Sequence, residues 1–463
     1  MLAGSVRSDL DRRLHLHTMT HPSPPSLPSA KFGIVDLFAG PGGLDIAATI
    51  MKDEGVESIG VEWDDATRAT RAAAGLLTTD VKDVAELGPC DPSVVEATVL
   101  TGGPPCQSFS VAGSRKGHQA LDDVLRLATR LADHEDEASF DAAWKEVKSE
   151  TDAMSDDRTG FVLQPLRWIM EAKLKRGRPY EVVVLEQVQT VMPVWQHFVK
   201  ILRRTGYAAE AHMLHTEDFG VPQTRRRAVL IAQFDPENVH RKVRFPEATH
   251  QRYRKGAERL PRTHDHEDGA LFRTSHGGGD VEPWVSMGDA LRATRSSEFV
   301  MVSNYGSGGD PKNRGRRESG EPAPTITGKV RRNRLYHLRK DASGEIVIRS
   351  EDELDRLSAQ EAGLLQSFPA AYPWRSTDVA QQIGNAIPPR LSLHILSMAL
   401  LREPPQEKWY RLLKEWRPQE EPTLSSAPPV AVRRPTPPQT SAPVSSSASV
   451  RPRTGASAKS SAK

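Results

Sequence analysis

Short apolar runs that alternate with longer helix-like stretches constrain the fold of this chain more than any other feature of its sequence. In the first half of the chain these runs lie at residues 33–38, 58–62, 97–101, 181–185 and 228–234. Alternation of this kind is typical of a mainly parallel sheet that is covered by helices. We therefore predict an α/β, Rossmann-like fold for residues 31–234.

The rest of the chain departs from this alternation. Residues 235–352 are rich in glycine, arginine and histidine and have weak periodicity, which indicates a smaller inserted domain. Helix-like segments return in residues 353–421, and their apolar content predicts that they pack on the first domain and complete it. Residues 1–30 and 422–463 offer no periodic apolar face, so we predict a disordered leader and a disordered basic tail.

A separate irregularity lies at residues 113–157. Apolar side chains recur there at helical spacing, first at Val124, Leu127 and Leu131 and then at Phe140 and Val147. Residues 131–157 carry ten acidic and two basic side chains. We predict an acidic helical hairpin that points away from any bound phosphate backbone.

Composition excludes several classes of protein. With only two cysteines, Cys90 and Cys106, and no cluster at zinc-ligand spacing, the sequence predicts neither a disulfide framework nor a metal site. No run reaches the roughly 18 apolar residues of a membrane helix, and the N-terminus lacks the apolar segment of a secretory signal. We expect a soluble, cytoplasmic monomer with no membrane partner. The net charge of +2, from 62 basic and 60 acidic residues, does not by itself indicate nucleic acid.

A glycine-rich turn follows the first strand-like run and precedes a helix-like stretch at residues 44–53. Glycines let the backbone turn sharply and approach a ligand closely beside a helix N-terminus. Glu62 ends the next run about 20 residues later, where a carboxylate can accept hydrogen bonds from ribose hydroxyls. Trp63 beside it is either an adenine-packing residue or an ordinary half-buried tryptophan. We predict a cofactor site at the turn, formed by Asp36, Phe38, Ala39, Gly40, Pro41, Gly42 and Gly43.

Asp80 is a candidate acceptor for an adenine amino group, because it comes after the third element and is followed by Val81. Asp83 is a competing candidate. Either aspartate can equally serve as a cap or turn residue.

Cys106 follows the strand-like run at residues 97–101 and is preceded by two prolines that fix the backbone. Doubly wound sheets bind ligands at the carboxyl ends of their strands. A thiolate in such a position is a strong nucleophile if its neighbours lower its pKa. A lone cysteine is more often a buried apolar residue, and Cys90, which has no supporting motif, is interpreted in that way or as a surface residue.

The order of these blocks resembles the DNA cytosine-5 methyltransferases. The blocks are Phe-Ala-Gly-Pro-Gly-Gly at 38–43, Glu-Trp at 62–63, Gly-Pro-Pro-Cys-Gln-Ser-Phe-Ser at 103–110, Glu-Gln-Val at 186–188, Gln-Thr-Arg-Arg-Arg at 223–227, and two closing blocks at 360–369 and 382–389. The matches run in order from about residue 33 to about residue 401. Cysteine after Pro-Pro separates the chain from amino-group methyltransferases, which carry Asn/Asp-Pro-Pro-aromatic at this place.

The resemblance implies a reaction and a set of roles. S-adenosylmethionine is the implied methyl donor, and its pocket would also include Pro105, Asn385 and Ile387. Cys106 would add to carbon 6 of a flipped-out cytosine, while Glu186 would hydrogen-bond or protonate N3. The two arginines with implied roles are Arg227, which would hold the pyrimidine O2, and Arg225, which would lie by the catalytic loop and the target phosphate.

Residues 235–352 would then be the target-recognition domain for duplex DNA. Two basic clusters, at 314–317 and 329–334, suit phosphates and guanine edges. The expected DNA contacts are made by Gln107, Ser108, Arg225, Thr327, Arg331 and Arg332.

The sequence departs from the family pattern at two places, and other functions also remain open. Gln187 replaces the family's asparagine, which predicts slower turnover or a rearranged loop, and the acidic hairpin enlarges the segment that closes over the base. The alternatives to a DNA methyltransferase are an RNA cytosine-5 methyltransferase and a catalytically weak DNA-binding homologue. The sequence also leaves open whether the enzyme is solitary or has a cognate restriction endonuclease.

Overall fold

A six-stranded sheet forms the centre of the computed structural model, which describes residues 25–105, 115–154, 157–261, 281–303, 315–376 and 378–418. Its strands follow the order β2-β1-β3-β4-β6-β5. They are β1 (Phe32–Leu37), β2 (Val56–Val61), β3 (Val99–Gly102), β4 (Val182–Val188), β5 (Tyr207–His215) and β6 (Arg226–Phe234). All five strand-like runs of the sequence are confirmed as strands, and the predicted α/β fold is confirmed with them.

The direction of the strands defines where a ligand can bind. Strands β1 to β4 are parallel, whereas β6 is antiparallel to both β4 and β5. From β1 the chain goes outward to β2 and then crosses to β3 on the other side of β1. This reversal is a topological switch point, and open α/β sheets bind their ligands beside the carboxyl ends of the strands at such a point.

Helices cover both faces of this sheet. They are α1 (Gly43–Ile50), α2 (Asp65–Ala73), α3 (Arg115–Ala132), α4 (Glu137–Asp152), α5 (Gln164–Leu174) and α6 (Met192–Arg204), followed after the second sheet by α8 (Ala359–Leu365), α9 (Val379–Asn385), α10 (Pro389–Leu396) and α11 (Glu407–Glu415). The strands alternate between the two layers: Ile34 belongs to the core under α1 and α10, whereas Val35 belongs to the core under α5 and α6. This alternation follows from the two-residue period of a strand.

A second, antiparallel sheet has the order β10-β9-β7-β8. It comprises β7 (Phe299–Val302), β8 (Arg316–Glu318), β9 (Arg334–His337) and β10 (Glu353–Leu354), with the short helix α7 (Met287–Leu291) before it. Phe299 and Met301 on one face join the core that contains α8 and α10, and Val300 and Val302 form a small cluster on the other face. Strands β7, β8 and β9 lie within residues 235–352, the segment expected to recognise the target, whereas β10 directly follows it. The division into domains stays a prediction.

Helices α3 and α4 occupy the segment in which a helical hairpin was expected. Val124, Leu127 and Phe140 are fully buried against the layer of α5 and α6. Arg126 and Arg130 of α3 both form ion pairs with Glu150 of α4. The insertion is therefore an integral part of this helical layer.

One prediction for the leader needs correction. Residues 25–30 were assigned to a disordered segment, but Leu27 is buried and its backbone N–H donates to the Ser93 carbonyl at 2.9 Å. Burial of the Leu27 side chain helps to offset the conformational entropy that is lost when this segment, otherwise rich in proline and serine, becomes ordered. None of the helices in the described ranges is long and apolar enough to cross a membrane.

Candidate active site

A cavity of about 510 Å³ lies at the carboxyl ends of β1, β2, β3 and β4, beside the switch point. Its wall combines parts of the chain that are far apart in sequence: the turn after β1, the segment after β2, the ends of β3 and β4, the start of β6, and the end of α9. The lining residues that were expected to act in binding or catalysis are Asp36, Phe38, Ala39, Gly40, Pro41, Glu62, Trp63, Pro105, Glu186, Arg225, Arg227, Asn385 and Ile387.

The turn after β1 depends on its glycines. Phe38, Gly40 and Gly42 all have positive φ, at 59°, 55° and 97°. A Cβ atom at Gly43 would lie 2.0 Å from the Ile387 carbonyl oxygen, so the turn packs directly against the segment after α9. A Cβ at Gly40 would meet only one atom, at 4.0 Å, so the cavity side of the turn is open to a ligand. Gly42 and Gly43 are therefore required by backbone shape and packing.

Glu62 fixes the opposite side of the turn. Its carboxylate accepts hydrogen bonds from the backbone N–H groups of Gly40 at 2.8 Å and Asp64 at 2.9 Å. Burial raises the pKa of Glu62, while these two hydrogen bonds act in the opposite direction. Each carboxylate oxygen has a second lone pair for a further donor. Trp63 is 75% exposed beside it, which makes the ring available at the cavity rim and corrects the alternative of a half-buried tryptophan.

Asp36 lies deeper and belongs to a charged cluster that the sequence did not reveal. The Thr101 hydroxyl donates to its carboxyl at 2.6 Å. Burial, with a smaller contribution from Asp45, raises the pKa of Asp36 to about 8. Asp45 pairs at 2.7 Å with Arg71, and both side chains are fully buried. Arg71 also donates to the Gly40 carbonyl at 3.3 Å, so this ion pair supports the turn from below.

Asp80 and Val81 are exposed and do not line the cavity. Just before them, Thr78 forms an isolated bridge with Gly60. The competing Asp83 is exposed as well. The position of these residues gives no support for a contact with adenine, and their role stays a prediction.

Glu186 and Arg227 face each other across neighbouring strands, β4 and β6. Arg227 Nε lies 2.6 Å from Glu186 Oε1, and both side chains are nearly buried. Oε1 is buried and is held by this ion pair with Arg227. Burial lowers the pKa of Arg227, and Glu186 opposes this effect. The pair thus presents a buried, charge-paired carboxylate to the cavity.

Gln187 connects this carboxylate strand to the segment before Cys106. Its side-chain amide donates to the Pro104 carbonyl, and its side-chain oxygen accepts from the Val188 backbone N–H. The longer side chain therefore reaches the loop that the family's asparagine was expected to position. Pro105 lines the cavity, whereas Cys106, Gln107 and Ser108 lie outside the described residues.

Arg225 is buried in the cavity wall, and its guanidinium hydrogen-bonds mainly to backbone carbonyls. Its two terminal nitrogens donate to the carbonyls of Ile326 and Gly384, both at 2.8 Å, and of Ala386 at 3.3 Å. Only Nε has no acceptor among the described residues. Burial, and secondarily Arg227, lowers the pKa of Arg225. A contact with the catalytic loop or the target phosphate stays a prediction, for which Nε and the second N–H of Nη1 are the donors left by these bonds.

The expected DNA contacts of the second sheet lie in and beside one turn. Arg331 and Arg332 are exposed in a short 3-10 turn, Val330–Arg332, and Thr327 is half-buried just before it. In the other basic cluster, of which Arg314 lies outside the described residues, Arg316 donates to the Ile346 carbonyl at 3.1 Å, and Arg317 lies over the Tyr253 ring at 4.1 Å. The second cluster is therefore the more accessible of the two.

The sequence interpretation also missed Arg71, Asp45, Thr101 and Gln223. One signal was present, because Thr67, Thr70 and Arg71 share the buried face of α2, and a charged residue on such a face needs a buried partner. Nothing in the sequence identified that partner. Among the described residues, no group of three or more His, Cys, Asp or Glu side chains is arranged to hold a metal ion.

The cavity fits a nucleoside that is linked to a cationic group. Its volume lies within the range of about 300 to 1,000 Å³ that is usual for small-molecule sites. Asp36, Glu62, Asp64 and Asp378 contribute carboxyl groups, whereas Phe38 contributes an apolar surface. Acidic and apolar walls of this kind suit a sulfonium ion and an adenosyl group. The residues present therefore fit S-adenosylmethionine.

Comparison with known proteins agrees with this geometry. The sequence model of the C-5 cytosine-specific DNA methylases matches residues 32–128 and 152–398. The interruption, residues 129–151, coincides with the end of α3 and most of α4.

Individual relatives are more distant. The type II methyltransferase M1.HphI of Haemophilus parahaemolyticus is 25% identical over 380 residues, which cover 79% of this chain and 86% of that protein. The type II methyltransferase M.AquIA of Picosynechococcus is 24% identical over 241 residues, which cover 47% of this chain and 76% of that protein. The crystal structure of S. pombe Dnmt2 methyltransferase is 16% identical, with a TM-score of 0.49 over 80% of this chain and 99% of that one.

The family match spans most of the chain and includes both the turn after β1 and the segment after α9 that closes the cavity. The chain therefore belongs to the C-5 cytosine-specific DNA methylases, the DNA (cytosine-5-)-methyltransferases of class EC 2.1.1.37.

Proposed function

We propose that this enzyme transfers a methyl group from S-adenosylmethionine to carbon 5 of a flipped-out cytosine in a specific duplex DNA sequence, through a covalent adduct of Cys106 at carbon 6. One observation carries the proposal. A single cavity is lined by the glycine turn after β1, by the Glu186–Arg227 pair, and by Pro105, the residue directly before Cys106. A donor and a pyrimidine can therefore meet in one enclosure that reaches the residue before Cys106.

The cofactor would be held by residues around the turn. Glu62 would accept hydrogen bonds from the ribose hydroxyls with the lone pairs that its two backbone bonds leave free. Trp63 would cover the adenine, and Asn385 and Ile387 would close the other side. When bound, S-adenosylmethionine supplies an electrophilic methyl group.

The protein's own side chains would activate the base. The Cys106 thiolate forms a bond to carbon 6, and the displaced electron pair makes carbon 5 nucleophilic. Glu186 would face N3 with a carboxyl group that lines the cavity, and the lone pairs that its ion pair with Arg227 leaves free can take part in a hydrogen bond there. Arg227 holds the pyrimidine O2 and stabilises the negative charge that develops on the ring. Carbon 5 would then form a bond to the methyl group as the donor's sulfur–methyl bond breaks, and the electron pair of that bond would stay with the departing S-adenosylhomocysteine. A base in the solvent would take the proton from carbon 5, and cleavage of the bond between the Cys106 sulfur and carbon 6 would restore the ring and the thiolate.

The target base would have to leave the helix, because a stacked cytosine cannot reach a cavity at the end of a sheet. Arg331 and Arg332 would contact the DNA backbone near the target, with Thr327 beside them. Gln107 and Ser108 would make further contacts with the DNA. We also propose a cytoplasmic location, because duplex DNA is the substrate and the named relatives come from bacteria.

Transfer of tritium-labelled methyl groups tests the proposal. Purified enzyme with labelled S-adenosylmethionine is expected to label unmethylated plasmid DNA at carbon 5 of cytosine and to leave transfer RNA unlabelled, and Cys106→Ala should label neither. Preferential labelling of transfer RNA would favour the RNA methyltransferase. DNA binding without any labelling would favour the catalytically weak homologue.

A further inference from the structure

Arg225 ties together two segments that belong to different parts of the site. One is the cofactor wall, residues 383–387, which forms the end of α9 and the two residues after it and lines the cavity from Gly384 to Ile387. The other is the return segment, residues 323–328, which leads from the second sheet to the exposed turn with Arg331 and Arg332. The guanidinium donates to Ile326 of the return segment and to Gly384 and Ala386 of the cofactor wall.

Gln223, two residues earlier, repeats this connection with a neutral side chain. Its fully buried amide accepts from the Ile326 backbone N–H at 3.0 Å and donates to Gln366 at 2.6 Å. Gln366 in turn donates to the Ile383 carbonyl at 2.7 Å. The return segment and the cofactor wall are thus joined a second time, through two glutamines.

The two segments are also in direct contact. A Cβ atom added at Gly384 would lie 2.1 Å from the Gly328 nitrogen and 2.4 Å from the Thr327 carbonyl carbon. No side chain separates the backbones at this point. A displacement of the cofactor wall must therefore be followed by the return segment or break the contacts between them.

Arg225 makes this connection unusually sensitive to position. It is 2% exposed, and its hydrogen-bond acceptors among the described residues are three carbonyl oxygens. The charge of Glu186 opposes the effect of burial on the pKa of Arg225. If either segment moved away, the guanidinium would stay buried with fewer acceptors, which is costly for a charged group. The arrangement therefore favours a state in which both segments are in place.

We propose that Arg225 is a positioning residue that couples the cofactor site to DNA recognition, so that filling the cavity with cofactor orders the return segment. This inference rests on the proposed cofactor site. The coupling gives Arg225 a role that does not depend on a contact with a DNA phosphate. Because energetic coupling is reciprocal, DNA bound near the return segment should also strengthen cofactor binding.

Hydrogen exchange with S-adenosylhomocysteine as the probe tests the coupling in the full-length protein. The amides of Ala323 and Ile326 are hydrogen-bonded, so they report on the return segment. In the wild type, saturation with the probe is expected to slow exchange both in the turn at residues 38–43 and, by about tenfold, in the return segment. In Arg225→Met the turn should still be protected, while the effect on the return segment falls below about twofold.

Gly384→Ala is the second variant, because it separates the two segments without changing any charge, and it should give the same result. Arg226→Met is the matched control: this neighbour is exposed, and the variant should behave as the wild type. Exchange in β4 serves as an internal reference for global stability. Equal protection of the return segment in Arg225→Met and the wild type would overturn the inference. Failure of the probe to protect the turn in the wild type would instead refute the proposed cofactor site on which the inference rests.

Discussion

Gln187 sets the position of the chain just before Cys106, since its side chain spans from the end of β4 to the Pro104 carbonyl. The same side chain bonds to its neighbouring backbone N–H, which holds the amide in one orientation. The extra methylene relative to asparagine is therefore used for reach. At the scale of single residues, the site depends on such bonds between side chain and backbone as much as on the groups that would contact the base.

Replacement of Gln187 tests this contribution. A hydrogen bond of this kind contributes about 0.5 to 1.5 kcal/mol, so Gln187→Ala is expected to lower kcat by roughly twofold to tenfold. The Kd for S-adenosylhomocysteine should change little, because Gln187 acts on the loop. Gln189→Ala, at an exposed position on the same segment, is the control for steady-state kinetics. A weaker cofactor affinity with unchanged kcat would contradict this role.

The raised pKa of Asp36 predicts that the stability of the folded protein depends on pH. This pKa is raised to about 8 in the folded protein from 3.8, so between these values the folded state holds a proton that the unfolded state has released. The stability contributed by the protonated form is therefore complete at low pH and is lost as pH rises through about 8. We expect Asp36→Asn to remove this loss.

Chemical denaturation at several pH values measures the effect. One retained proton corresponds to about 1.4 kcal/mol per pH unit, so the wild type should lose about 2 kcal/mol relative to Asp36→Asn between about pH 6 and pH 8. Asp53→Asn, at an exposed position, is the control. Parallel stability curves for the wild type and Asp36→Asn would show that the buried carboxyl does not titrate in this range.

At the scale of elements, the strands that end at the site could be predicted from the sequence, whereas strand β5 and the buried ion pair that supports the turn could not. Strands β1, β3 and β4 are buried apolar runs, so their positions follow from the sequence. Strand β5 was missed, because Tyr-Ala-Ala-Glu-Ala-His has few β-branched residues and is stabilised by its pairing with β6. The Asp45–Arg71 pair was missed because it joins α1 to α2, and a contact between helices leaves no periodic signal.

The turn Val330–Arg332 carries the element-scale prediction for DNA. If Arg331 and Arg332 each neutralise one phosphate, the double alanine variant should reduce the slope of log K against log salt concentration by about 2 for plasmid DNA. Lys145→Ala with Lys148→Ala removes the same charge from the acidic helix α4 and should leave the slope unchanged. Equal slopes for the wild type and the arginine variant would exclude the turn from the DNA interface.

At the scale of the whole molecule, the site is assembled from both ends of the family-matched chain. The turn after β1 and the segment after α9 are more than 300 residues apart, yet Gly43 and Ile387 are in contact. The described residues between them include the six-stranded sheet with its covering helices and the second sheet, after which the chain reaches the cofactor wall. The α3–α4 hairpin, which interrupts the family match, adds to the helical layer and leaves this closure intact.

Covalent trapping tests the central claim most directly. A long duplex in which 5-fluorocytosine replaces cytosine is incubated with enzyme and S-adenosylmethionine. A base can remove the hydrogen of carbon 5 as a proton but cannot remove fluorine in this way, so the adduct persists. We expect a denaturation-resistant complex in which peptide mass mapping places the base on Cys106, and no complex with Cys106→Ala. The same adduct with Cys106→Ala, or labelled methyl transfer to normal DNA by that variant, would contradict the account.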